Sequence, residues 1–128
     1  MDYFYAVFYF CEVKMKITET RKTEMLIISL YQLSLQSDGS EEIKKSKKVI
    51  ALVCFVLKLL SIFTDENHLQ IVDRLYFSKN NIVKIGIKSA SEKVYMSERT
   101  LYFYRRKYCE IINIVLDEFH VLSGLFLS

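Results

Sequence analysis

Apolar residues recur along the chain at helical spacing, in successive stretches separated by short polar breaks. From Glu19 to Leu35, the residues Met25, Leu26, Ile28, Leu30 and Leu33 mix helical with continuous spacing, and a helix is expected there. The stretch 36-QSDGSEE-42 is the clearest loop, with Ser40 placed to cap and Glu41 and Glu42 placed in a first helical turn. A long helix is expected from about Glu41 to Ile62, its lysines near the start and its apolar part buried. Glu41 precedes Lys45 by four residues, the favourable order for a helical ion pair. Thr64-Asp65-Glu66 then reads as an N-cap followed by two acids, opening a helix to about Phe77 whose apolar face is Leu69, Val72, Leu75 and Tyr76. Ser78-Lys79-Asn80-Asn81 breaks that helix, and Ile82 starts the next.

Residues 1–18 have a different pattern. They alternate loosely and are rich in Tyr, Phe and Val, which predicts a strand or an N-terminal arm ahead of a single helical domain over 19–128. Met15 offers an alternative start, leaving the aromatic leader outside the native protein. A signal peptide is not expected, because Asp2 stands where a basic region should be and no small-residue cleavage site follows. The run Val49–Phe63 is the one membrane candidate, but it is interrupted by Lys58 and falls short of the roughly 20 residues a span requires. A buried core helix is expected, with no membrane contact.

Composition narrows the fold class. At 52% hydrophobic and 26% charged, the chain is too apolar for disorder. Proline is absent and glycine occurs three times, too few turn formers for a sandwich or barrel. The expectation is an all-α, small multi-helix domain. Cys11, Cys54 and Cys109 are odd in number and widely spaced among apolar neighbours, as free cysteines of a reduced, cytoplasmic protein are. His68 and His120 have no ligand-spaced partners, so no metal or other cofactor is expected, and both histidines read as surface or half-buried. No glycine-rich phosphate loop, paired carboxylates or nucleophile–His spacing suggests an enzyme.

Charge changes the picture through its distribution. The net charge is only +3, yet Lys44, Lys45, Lys47 and Lys48 form one basic cluster and Arg99, Arg105, Arg106 and Lys107 another. The second cluster lies in 87-IKSASEKVYMSERTLYFYRRKY-108, where the spacing fits two helices meeting at a tight turn. Ile87, Ala90, Ser91 and Val94 offer small or apolar contacts on the first helix. Met96 precedes Ser97, a good N-cap with Glu98 beside it, and Leu101, Tyr104 and Tyr108 form the inner face of the second. The opposite face carries Arg99, Tyr102, Phe103 and Arg106, which in a major groove would reach base edges. Lys84, Lys88, Ser97, Arg105 and Lys107 are the candidate phosphate contacts. Beyond them, 111-IINIVLDEFHVLSGLFLS-128 is very apolar: Ile111, Ile114, Val115, Glu118 and Leu122 would continue the helix, docking on the 41–62 helix or on a second copy.

Residues 64–112 resemble region four of bacterial sigma factors, and more closely small phage transcription regulators of the ArpU and RinA kind. The resemblance is carried by the aliphatic-Tyr-Phe stretch from Ile71 to Phe77, by Ser97, Thr100, Leu101 and Tyr102 opening the second helix, and by Arg105, Arg106 and Lys107 after it. It implies a helix-turn-helix at about 82–108, sequence-specific binding of double-stranded DNA in transcription regulation, and contact with RNA polymerase. Tyr95 departs from the pattern by standing where glycine is usual, and Ser91 by standing where alanine is. The alternative expectation is a helical protein–protein interaction module, an inhibitor or partner subunit, without DNA binding.

Overall fold

In a computed structural model, which describes residues 17–127 and the side chains of 19–118, the chain forms five helices: α1 (Ile17–Ser34), α2 (Glu41–Thr64), α3 (His68–Leu75), α4 (Ile82–Lys93) and α5 (Glu98–Leu127). Among the described residues there are no strands, so the fold is all-α. The strand or arm expected at the N-terminus, Cys11, and the side chains of His120 and Leu122 lie outside the described residues. No helix among them is long and apolar enough to cross a membrane.

The starts of α2 and α4 are set by caps. Ser40 Oγ accepts from Ile43 N at 3.3 Å and Asn81 Oδ1 from Val83 N and Lys84 N at 3.1 and 3.2 Å, satisfying backbone donors that have no partner inside the helix. The residues α2 buries are Ile43, Ser46, Val49, Val53, Leu57, Leu60 and Thr64, one stripe at three- and four-residue steps. Burial of each Leu or Val in it is worth about 1.5–3 kcal/mol. α1 lies along α2, α3 packs on α2, and α5 contacts α1, α2 and α4. The core forms where these faces meet, around Ile27, Leu57, Leu75, Tyr76, Leu101, Tyr108 and Ile112.

One local expectation is corrected. Thr64 does not cap α3: it is the last residue of α2, buried, with its hydroxyl donating to Leu60 O at 2.8 Å. The cap is Asn67, whose Oδ1 accepts from Gln70 N at 3.0 Å, and the helix runs from His68. On α1 the buried stripe is partly polar. Thr20, Thr23 and Glu24 are inside with Ile27 and Ile28, while Met25 and Leu26 are about half exposed. The cause lies on α5 and α3, which bring polar partners to that stripe: Asn113 Oδ1 stands 3.1 Å from Thr23 Oγ1, and Glu24 accepts from Arg105 and Tyr76.

Candidate nucleic-acid interface

α4 begins as a single turn over 82–85 and is broken at Gly86, with φ 80° and ψ 173°, a region open to glycine and to almost nothing else. From there it runs to Lys93, burying Ala90 and Ser91, and Val94 beyond its end is buried too. The corner after it is a Schellman motif. Met96 N donates to Ser91 O at 3.0 Å, Tyr95 N donates to Glu92 O at 3.3 Å, and Tyr95 itself is left-handed at φ 57°. A non-glycine residue thus occupies the strained position of the corner, with its ring exposed and the Arg74 guanidinium carbon 5.7 Å from the ring centre. Ser97 closes the start of α5: its Oγ accepts from Thr100 N at 3.1 Å and donates to Thr100 Oγ1 at 2.9 Å.

The expected inner face of α5 is found inside: Leu101 and Tyr108 are fully buried and Tyr104 nearly so. Ser97, Arg99 and Tyr102 are exposed, as are Lys84 and Lys88 on α4. Arg106 is half-buried beside Tyr102, and its Nε has no hydrogen-bond partner. The remaining candidates are placed elsewhere. Phe103 is half-buried at the margin of the core, edge-on to Tyr104 at 5.8 Å. Lys107 is 2% exposed with its Nζ 5.6 Å from the centre of the Phe103 ring, so it cannot meet a phosphate from that position. Arg105 is spent on Glu24, donating from Nε at 2.9 Å and Nη2 at 2.6 Å to a carboxylate that is only 1% exposed. Both were expected at the surface because consecutive basic residues usually are; here the helix turns 100° per residue and carries them inward.

That ion pair belongs to a buried network. Tyr76 OH donates to Glu24 Oε2 at 2.6 Å and lies 3.9 Å from Cys109 Sγ, which donates to Thr20 O at 3.6 Å. Burial pushes the Cys109 thiol and the Tyr76 phenol above their ordinary ranges, with the Glu24 charge adding to both. Cys109 is therefore an inert thiol. A second network surrounds His68, which is fully buried rather than at the surface or half-buried as the sequence suggests. Thr64 Oγ1 already donates to Leu60 O, so it accepts from His68 Nε2 at 2.7 Å, and the other ring nitrogen accepts from Tyr108 OH at 2.7 Å. This pattern assigns the neutral Nε2–H tautomer. Burial holds the imidazole below its ordinary range, which agrees with that assignment. Both networks hold α5 against the rest of the fold, and among the described residues no group of three His, Cys, Asp or Glu could hold a metal.

Arg21 on α1 is the residue that the sequence pattern does not point to. It is exposed and lines a crevice of about 170 Å³ with Thr20, Tyr102, Arg105 and Arg106. It lies far outside the 82–108 segment, and only the packing of α1 against α5 brings it there. Comparison of the chain with protein-family models, with curated proteins and with solved structures returns no match.

Proposed function

We propose that the protein binds double-stranded DNA through the α4–turn–α5 unit and regulates transcription. The observation that carries this reading is the exposed start of α5. A capped helix whose one face is locked into the core by Leu101, Tyr104 and Tyr108 projects Arg99 and Tyr102 into solvent, and Lys84 and Lys88 of α4 are exposed as well. Arginine can pair bidentately with guanine and an aromatic ring can contact a thymine methyl, so Arg99 and Tyr102 are assigned to base edges. Lys84 and Lys88 are assigned to backbone phosphates, which fix register without reading sequence. This reading implies a cytoplasmic protein. RNA polymerase enters as a partner only through the resemblance to sigma region four.

Binding of random and then selected duplexes across a salt series tests the proposal. Log affinity should fall linearly with log salt, and Arg99→Ala should cost about 1–3 kcal/mol on the selected site and much less on random DNA. No binding at low salt would end the DNA reading.

A second reading is favoured by one feature on the other side of the molecule. Leu26, Leu30 and Leu33 of α1, Val49 of α2 and Leu116 of α5 line a crevice of about 480 Å³ edged by Glu42, Lys45, Ser46 and Asp117, and Ile114 is exposed. A helical interaction module would use that surface for a protein, and a DNA-binding regulator would use it for a homodimer. Sedimentation at increasing concentration separates the two: self-association supports the dimer, and a strict monomer leaves the crevice to a different protein.

A further inference from the structure

The α1–α5 crevice has the makings of an anion site that the α4–turn–α5 reading leaves unused. Arg21, Arg105 and Arg106 line it together with Thr20 and Tyr102. Arg21 and Arg105 also line a neighbouring crevice of about 210 Å³ that reaches Val83, Gly86 and Ile87 at the break in α4. Three arginines therefore line the crevice, and Glu24 is the one carboxylate among the residues lining either crevice. Its charge is already matched, because Glu24 holds Arg105 in a two-pronged pair and also accepts from Tyr76. The positive potential of Arg21 and Arg106 is left without a counter-charge among the lining residues. The Arg106 Nε is buried and makes no hydrogen bond, an unfavourable state for a donor. Arg105 stands 5.4 Å from the centre of the Tyr102 ring and so keeps that ring at the rim of the crevice.

We propose that this crevice is a phosphate-binding site held by Arg21 of α1 and Arg106 of α5. In the DNA reading, on which this choice of source rests, it takes a backbone phosphate of the duplex. Guanidinium groups present planar pairs of donors that match phosphate oxygens, and two of them approach here from different helices. Arg105 adds charge without leaving Glu24. The DNA footprint then extends from α5 onto α1, outside the 82–108 segment, and Arg21 and Arg106 take the role expected of Arg105 and Lys107.

Two measurements on the full chain test this. In the first, the Nε–Hε resonances of the arginines are followed while inorganic phosphate is added at constant ionic strength, with chloride as the control. The Arg106 signal should shift saturably with phosphate and not with chloride, and Arg21→Gln should weaken that response several-fold. Arg21 is exposed, so this variant removes charge and little packing. Equal responses to the two anions would overturn the site. In the second, the salt dependence of duplex binding is compared for wild type and Arg21→Gln, where the slope should shrink by about 0.9 for the lost phosphate contact. Duplex binding with an unchanged slope would overturn the crevice as a DNA contact and leave the DNA reading standing. A phosphate response with no duplex binding would support the site with a free phosphate or phosphomonoester as its ligand, and would end the DNA reading alone.

Discussion

Two corners of the molecule are made by the same local chemistry and face in opposite directions. Between α2 and α3 the chain turns on Asp65 at φ 62°, and Asn67 caps the next helix by accepting from Gln70 N. Between α4 and α5 it turns on Tyr95 at φ 57°, and Ser97 caps by accepting from Thr100 N. In each case a left-handed residue ends one helix, and a polar residue two positions later starts another, three residues before the amide it holds. The first helical turns beyond the two caps differ. His68 goes straight into the core, and Glu66 accepts from Tyr104 OH at 2.9 and 2.7 Å, so the first corner is sewn to α5. After Ser97 come Glu98, Arg99 and Thr100, all exposed. Corner chemistry decides where a helix begins, and the packing of the whole fold decides whether its first turn is structural or free to meet a partner.

The largest effect should come from the contact that braces α5 behind its exposed start. Glu24→Gln keeps the shape of the side chain but leaves Arg105 charged in a largely buried position. Breaking a buried pair from one side costs about 3–5 kcal/mol, and the residual exposure of Arg105 puts the expectation at about 3 kcal/mol. Urea denaturation would read this as a lower midpoint with an unchanged slope. A loss below about 1 kcal/mol would mean that the pair does not brace the helix.

The inward corner should be the acid-sensitive one. His68 is neutral and buried, and its pKa is held below the ordinary 6.5 by desolvation, with Glu66 at 3.6 Å opposing only in part. The unfolded chain takes up a proton as the pH falls through that value, and the native state does not. The contribution is thus fully present above about pH 6.5 and is lost as the pH falls toward the lowered native value. Urea midpoints measured across that window should decline with acid in the wild type, and this decline should be absent in His68→Gln, whatever its overall stability.

The caps make the comparison quantitative. Asn67→Ala and Ser97→Ala should each cost about 1 kcal/mol of stability, since each removes one acceptor from a helix start. They should part company in function: Ser97→Ala should also weaken duplex binding, whereas Asn67→Ala should not. Equal binding by the two variants would remove the outward corner from the interface.

Much of the fold is readable in the sequence, for a physical reason. Helix spans, the Ser40 and Ser97 caps and the inward row Leu101, Tyr104 and Tyr108 come from short-range periodicity and from donors that must be satisfied locally. Thr64 misleads because a threonine hydroxyl can cap a helix start or bond back to the carbonyl four residues earlier, and nothing local distinguishes the two. Arg105 cannot be placed from its neighbours because its partner is 81 positions away on α1, on a stripe whose polar residues look like a solvated face. The same long-range pairing hides Arg21. The parts of the proposed interface that depend on the second helix alone are legible, and the parts that depend on α1 are not.

The smallest expected effect bears on the one residue that fits its corner badly. Tyr95 holds a left-handed conformation that costs an L-residue about 1–2 kcal/mol and costs glycine little, so the corner is strained as built. Tyr95→Gly removes that strain but also frees the unfolded chain and gives up the contact with Arg74. The balance should be a gain of no more than about 0.5 kcal/mol in thermal or urea unfolding. Glycine at Asp65 should gain less, because a short acidic side chain tolerates the left-handed region better than tyrosine does. A stabilised variant that binds duplex as well as the wild type would show that Tyr95 has no part in binding. One that is more stable yet binds less well would place its exposed ring in the interface, at the edge of the face that carries Arg99 and Tyr102.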